Sequence, residues 1–222
     1  MSKVRTQEEL IDTITAELSW RKKEISLLLL QIKANEKIPE KHRVLVRSAI
    51  VLLYSHWEGF IKQAAITLLE YIVNKRHSFH EIIPSFQALS LRSQLKIALN
   101  EQNVNKFLEV LSVFSSNVPT KFRFNFESAI ETDDNLSSAV LKRIVVFLSL
   151  DYSLFQTKEK LIDNVLLHYR NNIVHGKDFT LGHKDFIELH SEIMQLIEQF
   201  RTQVENSALN KSFLKKEISA RA

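Results

Sequence analysis

Only three glycines and three prolines occur among 222 residues. Hairpins and strand bends draw on glycine's freedom at positive φ and on proline's fixed φ. A chain this poor in both has little with which to build a sheet, whereas long helices need neither. The expected fold is therefore all-α.

The hydrophobic pattern agrees and divides the chain. Residues 6–34 place Leu10, Ile14, Leu18, Ile25, Leu28 and Ile32 at helical spacing, predicting one long amphipathic helix before Pro39. Residues 42–75 predict a second helix whose apolar surface is broader, as befits a central helix covered on several sides. Gly59 in its interior costs about 1 kcal/mol relative to alanine, which the close approach of another helix would justify. Residues 77–135 are less regular and read as an insertion or cap. They comprise a short "HSFH" connection, two shorter helices over "FQALSLRSQLKIAL" and "VNKFLEVLSVF", and a strand or extended arm in which Phe122, Phe124 and Phe126 alternate with polar residues. "TDDNLSS" then offers N-caps for a helix through "AVLKRIVVFLSL". Thr157, with Glu159 close behind, is read as the cap of a helix that ends at Gly176, and a further amphipathic helix follows from Lys184, antiparallel to it. The sum is an up-and-down helical bundle: two long N-terminal helices, a variable middle section and a C-terminal helix pair. Residues 1–205 are taken as one domain and 206–222 as a basic, flexible tail.

Composition excludes several function classes. There is no cysteine, hence no disulfide framework, thiolate zinc site or cysteine nucleophile. With three glycines no phosphate-cradling glycine loop can be built, and no serine nucleophile elbow is present. The polar N-terminus lacks a signal peptide's apolar core, and runs such as "ISLLLLQI" are too short to span a bilayer, so a soluble cytoplasmic protein with no membrane partner is expected. A net charge of +4 permits nucleic-acid contact without requiring it.

The stretch richest in chemistry is "HYRNNIVHG", residues 168–176. Its Arg170–His175 spacing carries no weight alone, since 11 arginines and 8 histidines produce such a pair about once by chance. Arginine and histidine near a helix C-terminus also suit the macrodipole, and Gly176 suits a helix stop. A structural helix end and a reactive site remain two open readings. As chemistry, Arg170 is a permanent planar cation suited to phosphate oxygens, His175 an acid/base near neutral pH, and Asn171 an orienting hydrogen-bond group. Five helical positions separate Arg170 from His175 by about 140° and 7.5 Å, so they share no face unless the helix end unwinds.

"RNNIVHG" resembles the signature of the HEPN superfamily (higher eukaryotes and prokaryotes nucleotide-binding), whose RNase members carry arginine, a polar residue, three to five more residues and histidine at a helix end. "SHWEGFIK" on the early central helix resembles the MAE-type bacterial branch of that superfamily. The resemblance implies a metal-independent endoribonuclease of toxin or phage-defence type, in which the RNA's own 2′-hydroxyl attacks the phosphate. It implies Arg170, Asn171 and His175 as the catalytic set, and no cofactor. It also implies an RNA substrate, a homodimer with a composite site, and an antitoxin or neighbouring defence protein as further partner. Non-catalytic HEPN-type modules that bind a nucleotide, RNA or a protein are the alternative.

Three residues are taken as supporting. Glu58 would hold Arg170, orient His175, or pair with another basic side chain. Trp57 fits the core better than a stacking platform, and Tyr169 fits core packing better than base stacking. His56 could face the cleft but fits a surface or satisfied core histidine better. The seven-residue pairs His168/His175 and His183/His190 lack carboxylate or cysteine partners at suitable spacing, so no metal is expected there.

Overall fold

A computed structural model describes residues 4–101, 104–115, 120–178 and 181–216. The described residues form an all-α bundle without strands. Helix α1 runs Gln7–Ala34 and α2 Pro39–Asn74. Thr6 starts α1 with a capping box: its hydroxyl accepts the Glu9 N–H at 3.0 Å, and the Glu9 carboxylate accepts the Thr6 N–H at 2.9 Å. Pro39 does not merely punctuate; it stands in the first turn of α2, where its missing N–H costs nothing.

Helix α2 is central, and Leu53, Trp57, Phe60, Ile61 and Leu68 along it are fully buried. Among the described residues it alone is long and apolar enough to cross a membrane by length and composition, an apolarity that its place in the core accounts for. Helix α1 packs antiparallel to it, with the Asn74 amide donating to the Val4 carbonyl at one end and His56 beside Glu24 midway. Gly59 faces α1 as well. A Cβ there would stand 3.2 Å from Arg21 Nη2, so the glycine makes room for a buried arginine paired with Glu17 rather than for a helix backbone.

The middle section begins with a 3-10 turn, Phe79–Glu81, capped by Ser78, so "HSFH" is a structured connection. Helices α3 (Pro84–Glu101) and α4 (Val104–Ser115) follow. The phenylalanine-rich arm is extended and pairs with 77–79 through Phe79 N–H to Thr120 O and Phe122 N–H to His77 O; Phe122 is buried while Phe124 and Phe126 are half-buried. Val118 and Pro119 of this arm lie outside the described residues. Ser137 caps α5 (Ser138–Phe147), as its position in "TDDNLSS" suggests.

A short helix α6 spans Ser153–Gln156. Thr157 is not the cap of the next helix. It closes α6 with φ −70° and ψ −14°, an α-region conformation, whereas an N-cap needs extended backbone. The next helix begins at residues 159–160, passes into a π-helical segment, Leu161–Leu167, and continues as α7, His168–Val174. Helix α8 runs His183–Leu209. Residues 206–216 are no loose tail: α8 continues to Leu209, Phe213 is buried edge-on against Tyr71, and the Lys215 N–H donates to the Glu81 carbonyl. Phe213 supplies the reason, being an apolar anchor in an otherwise basic stretch.

Helices α7 and α8 run antiparallel, but both pack mainly on α2. Arg170 meets Tyr54 and Lys177 meets Arg47, so α7 runs against α2; His183 meets His42 and Phe213 meets Tyr71, so α8 runs with it. Between α7 and α8 a groove opens, lined in part by Val165, Tyr169, Leu181 and Leu189.

Candidate functional site

Tyr54 and Glu58 stand one turn apart on α2 and face the segment 132–136 that leads into α5. The Tyr54 hydroxyl accepts the Leu136 N–H at 2.7 Å and hydrogen-bonds to the Glu58 carboxylate. Glu58 in turn accepts the Thr132 hydroxyl at 2.7 Å. Burial, reinforced by Glu58, pushes the Tyr54 phenol well above its ordinary range, so it stays protonated. These bonds fasten 132–136 onto α2 and present Asn135 to the end of α7.

Arg170 lies there, half-buried. Its Nη1 donates to Asn135 Oδ1 at 2.6 Å and to Asn171 Oδ1 at 2.8 Å, and its guanidinium carbon sits 4.8 Å from the centroid of the Tyr54 ring. Both acceptors are amide oxygens, and no carboxylate among the described residues forms an ion pair with Arg170. The cation is thus oriented by neutral dipoles and a π face while its full charge remains available.

His175 is the residue that ends α7, with φ −83° and ψ 15°; its amide closes on the Asn171 carbonyl. Gly176 follows at φ +72°, the left-handed conformation that its lack of Cβ makes cheap. The imidazole is exposed and takes no partner among the described residues. Arg170 and Asn171 are brought together, with Asn171 orienting the arginine; His175 stands beyond them in the unwound end. The next turn meets the N-terminal part of α2, where Arg47 donates to the Lys177 carbonyl at 3.0 Å and Arg43 pairs with Asp178 at 2.9 Å.

The supporting residues divide. Among the described residues Glu58 pairs with neither Arg170 nor another cation; it faces the 132–136 segment and meets Thr132 and Tyr54, the latter lying under the arginine. Trp57 is fully buried core. Tyr169 is half-buried, packs against the core and lines the α7–α8 groove. His56 is buried on the α1 side between Trp20 and Glu24, and His168 meets the Asn172 amide at 2.8 Å. Among the described residues no group of three or more histidine, aspartate or glutamate side chains is arranged to hold a metal. Tyr54, Thr132 and Asn135 are site residues without a sequence signal of their own. "TDDNLSS" shows capping composition, and nothing in it points 35 residues ahead to Arg170.

A family model for RiboL-PSP-HEPN matches residues 16–206. The chain belongs to the RiboL-PSP-HEPN family. The match spans α2, α7, the 132–136 segment and most of α8, so every residue of the arginine cradle of this HEPN chain lies inside it. Membership of the HEPN superfamily is established by it; the MAE-type branch and likeness to RNase toxins are finer than this match reaches. No curated protein and no solved structure matches the chain.

Proposed function

We propose that this HEPN protein is a metal-independent endoribonuclease that works as a two-fold homodimer, as a toxin or phage-defence effector. The observation that carries the reading is Arg170: a half-buried guanidinium, fixed by Asn135, Asn171 and Tyr54, with no carboxylate among the described residues paired to it. Holding such a charge in place is useful where negative charge develops on a phosphorane. His175, exposed at the adjoining helix end, supplies the proton-transfer group.

One histidine is a thin supply of both acid and base, and a second copy doubles it. An apolar groove of about 470 Å³ beside the motif supports such pairing. Val44, Ser48, Val51 and Ser55 line it from one face of α2, and Ile173 lines it from α7. Exposed Val44 and Val174 extend its apolar surface. A two-fold axis through this face would bring two Arg170/His175 sets together. An antitoxin or a neighbouring defence protein is the proposed regulatory partner.

The test is cleavage of RNA in excess EDTA by the wild type, His175→Ala and Arg170→Ala. Cleavage by the wild type alone, leaving 2′,3′-cyclic phosphate ends and sparing DNA, is the expected outcome. DNA cut as readily as RNA would sink the mechanism, because DNA lacks the attacking hydroxyl. A second reading, a non-catalytic module that binds a nucleotide, RNA or a protein partner, draws on the contrast between a firmly held Arg170 and an imidazole that has no partner among the described residues. It requires binding that Arg170→Ala abolishes and no turnover in any variant.

A further inference from the structure

We propose that Arg43 and Arg47, within the first three turns of α2, are positioning residues for His175, acting through the turn that follows it. The inference rests on the endoribonuclease reading and adds residues outside the arginine–histidine motif.

The amides of His175, Gly176 and Lys177 all fold back on α7, reaching the carbonyls of Asn171, Ile173 and Asn172. These bonds close a Schellman motif that holds Gly176 at φ +72° and fixes the chain as far as the Lys177 amide, leaving open the direction of the chain beyond it. Direction is set from α2. Arg47 Nη1 donates to the Lys177 carbonyl at 3.0 Å, and Arg43 Nη2 pairs with Asp178 Oδ1 at 2.9 Å. The two arginines are four residues apart, hence on one helix face, and they take successive residues of the turn. On the far side of the connection His42 stands 5.5 Å, ring to ring, from His183, the first residue of α8.

His175 therefore sits between a fixed helix end and a turn held by two arginines, while its own ring is held by nothing described. Proton transfer is steep in distance and orientation, and displacement by about 1 Å can cost about 100-fold in rate. The Arg43–Asp178 pair is half to mostly exposed, so it contributes little to global stability. Its value lies in where it places the turn.

The experiment measures RNA cleavage kinetics, amide hydrogen exchange and melting for the full chain carrying Arg43→Ala, Arg47→Ala, Arg47→Lys, and the exchange pair Arg43→Asp with Asp178→Arg. Faster exchange at residues 175–178 is expected for both alanine variants, with kcat about 10- to 100-fold lower and KM for RNA within about 2-fold. The exchange pair should restore both readouts, and Arg47→Lys should restore part of them. Unchanged protection of 175–178 would overturn the clamp, and faster exchange with unchanged kcat would overturn its role in positioning. A raised KM with unchanged kcat would make the arginines RNA contacts and overturn it too. A wild type that cuts no RNA overturns the endoribonuclease reading and this role together, whereas equal cutting by wild type and variants overturns this inference alone.

Discussion

Replacing Tyr54 by phenylalanine isolates the bonds that carry the 132–136 segment. The ring would stay where it is, buried on α2 and under the Arg170 guanidinium, so packing and the cation–π contact survive. The hydroxyl's two bonds would go. Leu136 is fully buried, so its N–H, now accepted at 2.7 Å, would find no water in exchange. An orphaned buried donor costs about 1–3 kcal/mol. Glu58 is only half-buried and keeps Thr132, so the lost bond to it adds little. For a chain of this length each kcal/mol shifts melting by about 2–4 °C, which places the expected loss on the order of 5 °C.

At 25 °C such a variant remains folded, and any loss of RNA cleavage must then come from the site. With Leu136 released from α2 and only Thr132 still held by Glu58, the segment would press Asn135 less firmly onto Arg170, and cleavage should fall further than the small unfolded population explains. Alkaline pH supplies a second signature. Tyr54 is pushed up by burial, so above about pH 10 the unfolded chain loses a proton that the fold retains. The stability it contributes is complete below pH 10 and declines above it, and Tyr54→Phe should flatten that decline in part, Tyr152 being raised in the same way. Thermal melts at pH 8 and pH 11 beside a cleavage assay would check all three statements. Melting within about 1 °C of wild type at pH 8 would refute the hydroxyl's role, since even the smallest expected penalty exceeds that shift. Lower melting with full cleavage would refute the link from Tyr54 through Asn135 to Arg170.

Gly176→Ala should cost about 1–2 kcal/mol from its left-handed φ alone, since no neighbour obstructs a Cβ; Gly176→Asn should recover part of that in a urea melt. On the proposed dimer, Val44→Glu, a change at an exposed residue, should leave the stability of the single chain within about 0.5 kcal/mol of wild type while abolishing pairing in sedimentation and RNA cleavage with it. His190 is held neutral by burial, below the ordinary histidine range, so the stability it contributes is present above about pH 6.5 and lost as pH falls through its folded value. His190→Leu should shallow the fall in melting temperature between about pH 7 and pH 5, with His56, depressed chiefly by the same cause, accounting for part of what remains.

The helices were legible because their information is local. Three glycines, apolar residues every three or four positions, and caps at Ser137 and Gly176 are read without knowing what packs on them. The arginine–asparagine pair was legible for the same reason, being adjacent in sequence. Asn135 and Tyr54 were not, because each matters only through a partner tens of residues away. Tail residue Phe213 belongs with them: a single aromatic in a basic stretch gives no period, and only Tyr71 shows what it is for.

The π-helical segment was the least accessible of all, and it bears most directly on the motif. An α-helical template assigns 100° per residue through Leu161–Leu167, but a π turn takes more residues, so the face presented by everything after it is rotated relative to that template. Through this segment Ile162 and Leu166 stay in the core while Asp163 accepts both the N–H and the hydroxyl of Ser138, at 2.7 and 2.5 Å. Asp163 thus anchors the start of α5, and Arg170, seven positions later, meets Asn135 from the same connection. The one helix thus holds the connection into α5 at both ends, through Asp163 on Ser138 and Arg170 on Asn135. Such π segments recur at functional sites, where the cost of poorer backbone bonding is offset by side-chain placement.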